Sequence, residues 1–242
     1  ITSGTIGTAI QSPDLTYSDS NLPDNTDALS VGGFVKLDEF TPTTTLDDDF
    51  STDNWTDTSF TGVSGGVLTG DLNRSGTNHG TVLDLGSALD NSQWVMRFQL
   101  DINSIPSGVS NPVPLYISDS GLVGINANKD GLGLGLRNDS PNFDFRLIAP
   151  DGTYSQYNVS NLANVSPNVG TYYVEVKRTS STTADLNIYS DSSYSTLLDS
   201  VVGHTISSGI QNLRYVVVQG MNDGGSGGTW NISIDDLEIY DG

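Results

Sequence analysis

Between Gln93 and Ile102 the apolar residues Trp94, Met96, Phe98 and Leu100 fall on one side, and Val95, Arg97, Gln99 and Asp101 on the other. A period of two marks a strand buried on one face. The same alternation returns at the end of the chain in Trp230, Ile232 and Ile234, then slips by one residue after Asp235-Asp236 to Leu237 and Ile239. A slip of one flips the faces, so the pattern predicts a β-bulge at Asp235-Asp236 or a strand buried on both sides. A terminal strand this regular is expected inside a sheet, beside an early strand. The best early partner is the acidic segment from Leu46 to Trp55.

Further strands are predicted at Val67–Leu72, Gly80–Leu85, Pro114–Ser118, Leu122–Asn126 and Leu132–Arg137. Later ones are predicted at Phe143–Ala149, Thr153–Val159, Tyr172–Thr179, Ala184–Ser190, Leu197–Val202 and Leu213–Gly220. Pro150-Asp151-Gly152 is a hairpin signal between two of them. Gly131 to Leu136 alternates glycine with leucine, which lets another backbone or a ligand approach one face closely. No helix-forming segment follows it, so it is not a dinucleotide-binding loop. About a dozen strands at this spacing predict a sandwich, with no repeat that would indicate a propeller. Residues 1–45 differ: uncharged at first, then turn-rich, then the extended Thr41-Pro42-Thr43-Thr44-Thr45. They read as an N-terminal arm and linker, and residues 46–242 as one β domain.

Composition supports the all-β class. Only three of the 29 acidic residues are glutamate, lysine is equally scarce, and helix formers are few. The net charge of −20 argues against a nucleic-acid groove and against adsorption to anionic membranes. No stretch is long and apolar enough to insert in a membrane. There is no cysteine, so disulfides and thiolate metal sites are excluded.

From Leu46 onward the order of motifs resembles the concanavalin A-like lectin/glucanase superfamily in its laminin-G-like, non-enzymatic form. The matching residues are Asp48-Asp49-Phe50 with Trp55, Gly66-Val67-Leu68, the strand around Trp94 to Phe98, Tyr172 to Arg178, and Ile234 to Tyr240. The ending is also similar to that of uncharacterised surface or virion proteins of marine microbes and their viruses. The resemblance implies a jelly-roll β-sandwich of two antiparallel sheets. It implies a non-catalytic, glycan-binding or adhesion module in an extracellular, cell-surface or virion setting, with a glycan or cell-surface polysaccharide as partner. The alternative is a structural subunit that forms homo-oligomers through residues 1–45. A glucanase is the third reading. It requires two nearby carboxylates, and Glu39, Glu175 and Glu238 are scattered without the expected strand motif.

Calcium is the expected cofactor. Ca²⁺ takes six to eight oxygen ligands, and Asp47, Asp48 and Asp49 would face Asp235 and Asp236 across a first-to-last strand pairing. The bland reading of these aspartates is a solvated acidic edge that resists aggregation. His79 and His204 lie beside glycines without a nucleophile motif and read as solvated loop residues. Trp55, Trp94 and Trp230 read as core, whereas Tyr116, Tyr154, Tyr157, Tyr189 and Tyr194 are less constrained and could serve a sugar site.

Overall fold

The computed structural model describes residues 43–58, 62–72, 80–107, 112–123, 129–139, 142–152, 157–162, 164–219 and 229–242. Strand β1 (Thr43–Asp48) is the first described element. The expected arm therefore lies outside the described residues, save Thr43–Thr45, which belong to β1. The glycine-rich stretch 222–228 lies outside them as well.

Fourteen more strands follow among the described residues, with no helix. They are β2 (Thr56–Thr58), β3 (Val63–Ser64), β4 (Val67–Leu72), β5 (Gly80–Asp84), β6 (Trp94–Ser104), β7 (Val113–Ser118) and β8 (Gly131–Asp139). After these come β9 (Asn142–Pro150), β10 (Tyr157–Asn161), β11 (Gly170–Ser180), β12 (Thr183–Tyr189), β13 (Leu197–Thr205), β14 (Tyr215–Gln219) and β15 (Trp230–Asp241). The first sheet has the order β13-β12-β11-β6-β15-β4-β3, with β1 also on β15. The second runs β10-β9-β8-β7-β14-β5-β2. Every strand pair is antiparallel, and the two sheets pack as a jelly-roll-like sandwich.

The alternating residues make the interior. Trp94, Met96, Phe98, Leu100 and Ile102 of β6 are buried beside Val174 and Val176 of β11 and Ile232 and Ile234 of β15. Each such side chain contributes about 1.5–3 kcal/mol on burial, so a one-residue slip of β6 would expose its whole apolar set. Phe145 of β9 meets Tyr172 of β11 edge-on at 4.9 Å, which ties one sheet to the other. Leu132, Leu134 and Leu136 of β8 are buried in the same core. Gly133 between them admits Tyr116 of β7, since a Cβ there would lie 2.3 Å from the Tyr116 Cα, and Gly135 admits Ile148 of β9.

The first and last strands pair as the sequence suggests, with Asp47 opposite Glu238 and Asp48 opposite Leu237. The slip in β15 is a bulge. Up to Ile234 the strand lies beside β4, and from Leu237 it lies beside β1, so the bulge falls where the neighbour changes. Its register against β6 shifts between Asp235 and Glu238, and Asp236 adopts φ 49°. Aspartate tolerates this left-handed conformation better than most residues.

Two sequence expectations change. Leu122 and Val123 are not in a strand, and the rest of Leu122–Asn126 lies outside the described residues. Leu122 is exposed, and its carbonyl accepts the Lys129 ammonium at 2.7 Å instead of joining a strand ladder. His204 is not in a loop but on edge strand β13, opposite Ala184, and burial lowers its pKa.

Candidate functional site

The polar phases of four strands meet on the outer face of the first sheet. Whatever alternates with the core must point away from it. On β6 that is Arg97 and Gln99, on β11 Tyr173, Glu175 and Lys177, on β12 Asn187 and Tyr189, and on β15 Glu238 and Tyr240. The pairing registers set them in rows. Glu238, Arg97, Glu175 and Asn187 stand side by side, and Gln99, Tyr173 and Tyr189 form the next row.

Glu175 is the hub. Only 1% exposed, it takes the Arg97 Nε at 2.7 Å on one oxygen. Its other oxygen takes the Lys177 ammonium at 2.7 Å, the Asn187 amide at 3.0 Å and the Tyr189 hydroxyl at 3.3 Å. Burial alone would raise the Glu175 pKa, but the hydrogen bonds from Lys177, Asn187 and Arg97 outweigh it and hold the carboxyl below its usual value. The carboxylate is therefore ionised and fully engaged, which fixes Arg97, Lys177, Asn187 and Tyr189 in place.

Over this hub lies Tyr194. The turn between β12 and β13 is knitted by Asp191, whose carboxylate accepts the Ser195 hydroxyl at 2.9 Å, the Thr196 N–H at 2.7 Å and the Ser193 hydroxyl. The bond from Ser193 is the main cause that holds the Asp191 carboxyl well below the usual range. Tyr194 sits in this turn with φ 54°. Its ring lies 4.9 Å from the Arg97 guanidinium and meets the edges of Tyr189 and Tyr173 at 5.5 and 6.1 Å. Burial, with Glu238 adding to it, raises its pKa, so the hydroxyl stays protonated. Tyr240 donates its hydroxyl to Glu238 at 2.8 Å. The result is a fixed, half-buried platform of four tyrosines with hydroxyl, amide, guanidinium and carboxylate groups between the rings. Such a surface can stack against an apolar sugar face and hydrogen-bond its hydroxyls.

The aspartates expected to hold calcium diverge. Asp48 turns inward, where its carboxylate accepts the Phe50 N–H at 2.9 Å and the Trp55 indole N–H at 3.1 Å. Phe50 takes φ 52° and stacks on Trp55 at 6.0 Å, so Asp48 anchors a buried corner at the end of β1. Asp47 is on the opposite face beside Glu238. Asp49, exposed, accepts the Ser51 N–H at 3.0 Å. Asp49, Asp235 and Asp236 do come near one another: burial raises the Asp235 pKa first, and the charges of Asp236, Asp101 and Asp49 add to it. Among the described residues no three His, Cys, Asp or Glu side chains converge as a metal cage.

Tyr189 and Tyr194 were legible as aromatic candidates, but Tyr173, Tyr240 and the Arg97–Glu175 pair were not. Their signal is the out-of-phase position beside the core residues Val174, Ile239 and Met96.

No protein-family model matches the chain, and no curated protein matches it. Solved structures do. The CBM2 module of the evolved Dit of Lactobacillus casei BL23 phage J-1 is similar over 81% of this chain and 94% of that module, at 12% identity and a TM-score of 0.52. A mutant of the GH43 protein BlXynB from Bacillus licheniformis is similar over 81% of this chain and 39% of its own, at 14% identity and a TM-score of 0.51. Trypanosoma rangeli sialidase is matched over 77% of this chain, at 12% identity and a TM-score of 0.47. This chain spans only 27% of that sialidase. The likeness shows an antiparallel β-sandwich, and the resemblance to concanavalin A-like proteins rests on that fold alone.

Proposed function

We propose that this protein is a non-catalytic glycan-binding module that works in an extracellular, cell-surface or virion setting. The observation that carries the reading is the tyrosine platform around Arg97 and Glu175, fixed on a sheet face by strand register and by the Asp191 turn. The likeness to a CBM2 module, a carbohydrate-binding type, over 94% of that module supports the same reading at the level of fold. A glycosidase acid needs a raised pKa. Glu175 has a lowered one and both oxygens engaged, so it is unsuited to that role and suited to holding the platform. The labelled protein, screened against an array of plant, algal and bacterial polysaccharides, should retain at least one of them without releasing reducing sugar. Retention of none would overturn the proposal.

A second reading, a self-assembling structural subunit, is favoured by one observation. Leu197, Leu198 and Val202 are exposed on edge strand β13, which carries no lysine or proline to discourage pairing. Light scattering over a concentration series distinguishes it, since Val202→Lys would dissolve such an assembly and leave glycan binding unchanged.

A further inference from the structure

Two cations lie on the outer face of the first sheet among the described residues, Arg97 and Lys177, and both pair with the one carboxylate of Glu175. The Arg97 Nη2 lies 2.6 Å from one Glu175 oxygen and the Lys177 Nζ 2.7 Å from the other. Both cations are about one-third exposed and each is already paired with the buried carboxylate, which offsets part of the attraction an anionic ligand would feel. Its approach would also meet carboxylates. Glu238 flanks Arg97, Asp47 stands beyond Glu238, Asp235 flanks Gln99, Asp101 pairs across from Thr171, and Asp185 stands opposite Lys177. Elsewhere Arg214 is paired with Asp84 and Arg137 with Asp144, Arg146 is half-buried on β9 of the second sheet, and Lys129 and Arg178 are buried. The face is thus rich in aromatic rings and hydrogen-bonding groups, yet it sets only two cations against the six carboxylates of Glu175, Glu238, Asp47, Asp235, Asp101 and Asp185, so it is net negative.

The platform is also wider than one sugar ring. Tyr240 is on β15 and Tyr189 on β12, three strand spacings apart in the order β12-β11-β6-β15. At about 4.8 Å per spacing that is roughly 14 Å.

We propose that this site takes an electrically neutral oligosaccharide lying across the strands, and that it rejects sialylated, uronic and sulfated glycans. The inference rests on the glycan-binding reading above and narrows it to a ligand class. Calorimetric titration with two probe sets tests it. The neutral set is gluco-, galacto- and manno-oligosaccharides of one to six units; the charged set is sialyllactose, oligogalacturonates and sulfated galactans. A neutral member should bind, more tightly as it lengthens from one unit to three or four, with an affinity that salt leaves unchanged. Charged members should bind at least about tenfold more weakly at low salt, because like charges in close contact are costly, and should recover part of the difference at high salt. Tyr194→Ala should weaken the neutral ligand. Equal or tighter binding of a charged member, weakened by Tyr194→Ala, would overturn the ligand class and leave the glycan reading standing. Binding by neither set, or binding that Tyr194→Ala leaves untouched, would overturn both.

Discussion

The ring of Tyr194 covers the guanidinium of Arg97 at 4.9 Å, and the same guanidinium donates to the buried carboxylate of Glu175. Glu175 thereby links the interior-facing architecture to the exposed rings. Glu175→Gln should leave Arg97 and Lys177 without their counter-charge and lower stability by about 3 kcal/mol, read by urea unfolding at neutral pH. Because the folded pKa is lowered, this contribution is present above the ordinary glutamate pKa and is lost as pH falls through the folded value. The variant and the parent should therefore converge in stability in strong acid.

Asp48 should behave as a structural anchor. Asp48→Ala leaves the Phe50 N–H and the Trp55 indole N–H without an acceptor at a buried site, a loss of about 2 kcal/mol. Asp48→Asn, which keeps an oxygen acceptor, should recover much of it. If Asp48 were instead a calcium ligand, the loss would vanish when both proteins are melted in EDTA. The expected result is the same difference with EDTA and with millimolar calcium.

How far the fold was legible depends on where the information lies. The alternation Trp94-Met96-Phe98-Leu100 names one face of β6 because burial and sequence phase are the same fact. The slip after Ile234 names the bulge for the same reason, although not its cause, the change of neighbour from β4 to β1. The platform was less legible. Arg97, Tyr173 and Glu175 occupy polar phases that look like any solvated sheet face. They become a cluster only through the pairing of β6 with β11, which joins Arg97 to Glu175 across 78 residues of sequence and whose register no local pattern specifies. Asp47, Asp48 and Asp49 do not share one face, for an elementary reason. Adjacent residues in a strand point to opposite faces, and the middle one found an indole partner inside.

The carboxylates at the bulge repel one another. The folded pKa of Asp235 is raised, so its ionisation destabilises the fold: stability is greatest below the ordinary aspartate pKa and falls as pH rises through the folded value. Asp235→Asn keeps the oxygen that accepts the Asp236 N–H and removes the charge. It should raise the melting temperature at pH 7, by an amount equivalent to about 0.5 kcal/mol, and have no effect at pH 3.

On the second sheet Lys129 is 6% exposed, donates to the Leu122 carbonyl at 2.7 Å and to the Gln219 side chain at 3.0 Å, and lies over the Tyr116 ring. Burial lowers its pKa to about 8 against the charge of Asp119. The unfolded chain binds this proton more tightly, so stability should rise as pH increases from 8 towards 10, by about 3 kcal/mol at most. Lys129→Met should abolish that rise in a pH series of denaturant titrations.

The most direct test is the affinity of the Tyr194→Ala variant for the neutral oligosaccharide that the wild-type protein binds best, measured by calorimetry, with Leu122→Ala, at an exposed position in the connection after β7, as control. Loss of one stacked ring removes about 1.5 kcal/mol, so Tyr194→Ala should bind roughly tenfold more weakly. Because the ring also packs on Arg97, Tyr189 and Tyr173, its loss should cost about 1–2 kcal/mol of stability while unfolding stays cooperative, and Leu122→Ala should bind like the wild type. An unchanged affinity in Tyr194→Ala, or a loss in Leu122→Ala instead, would contradict the account.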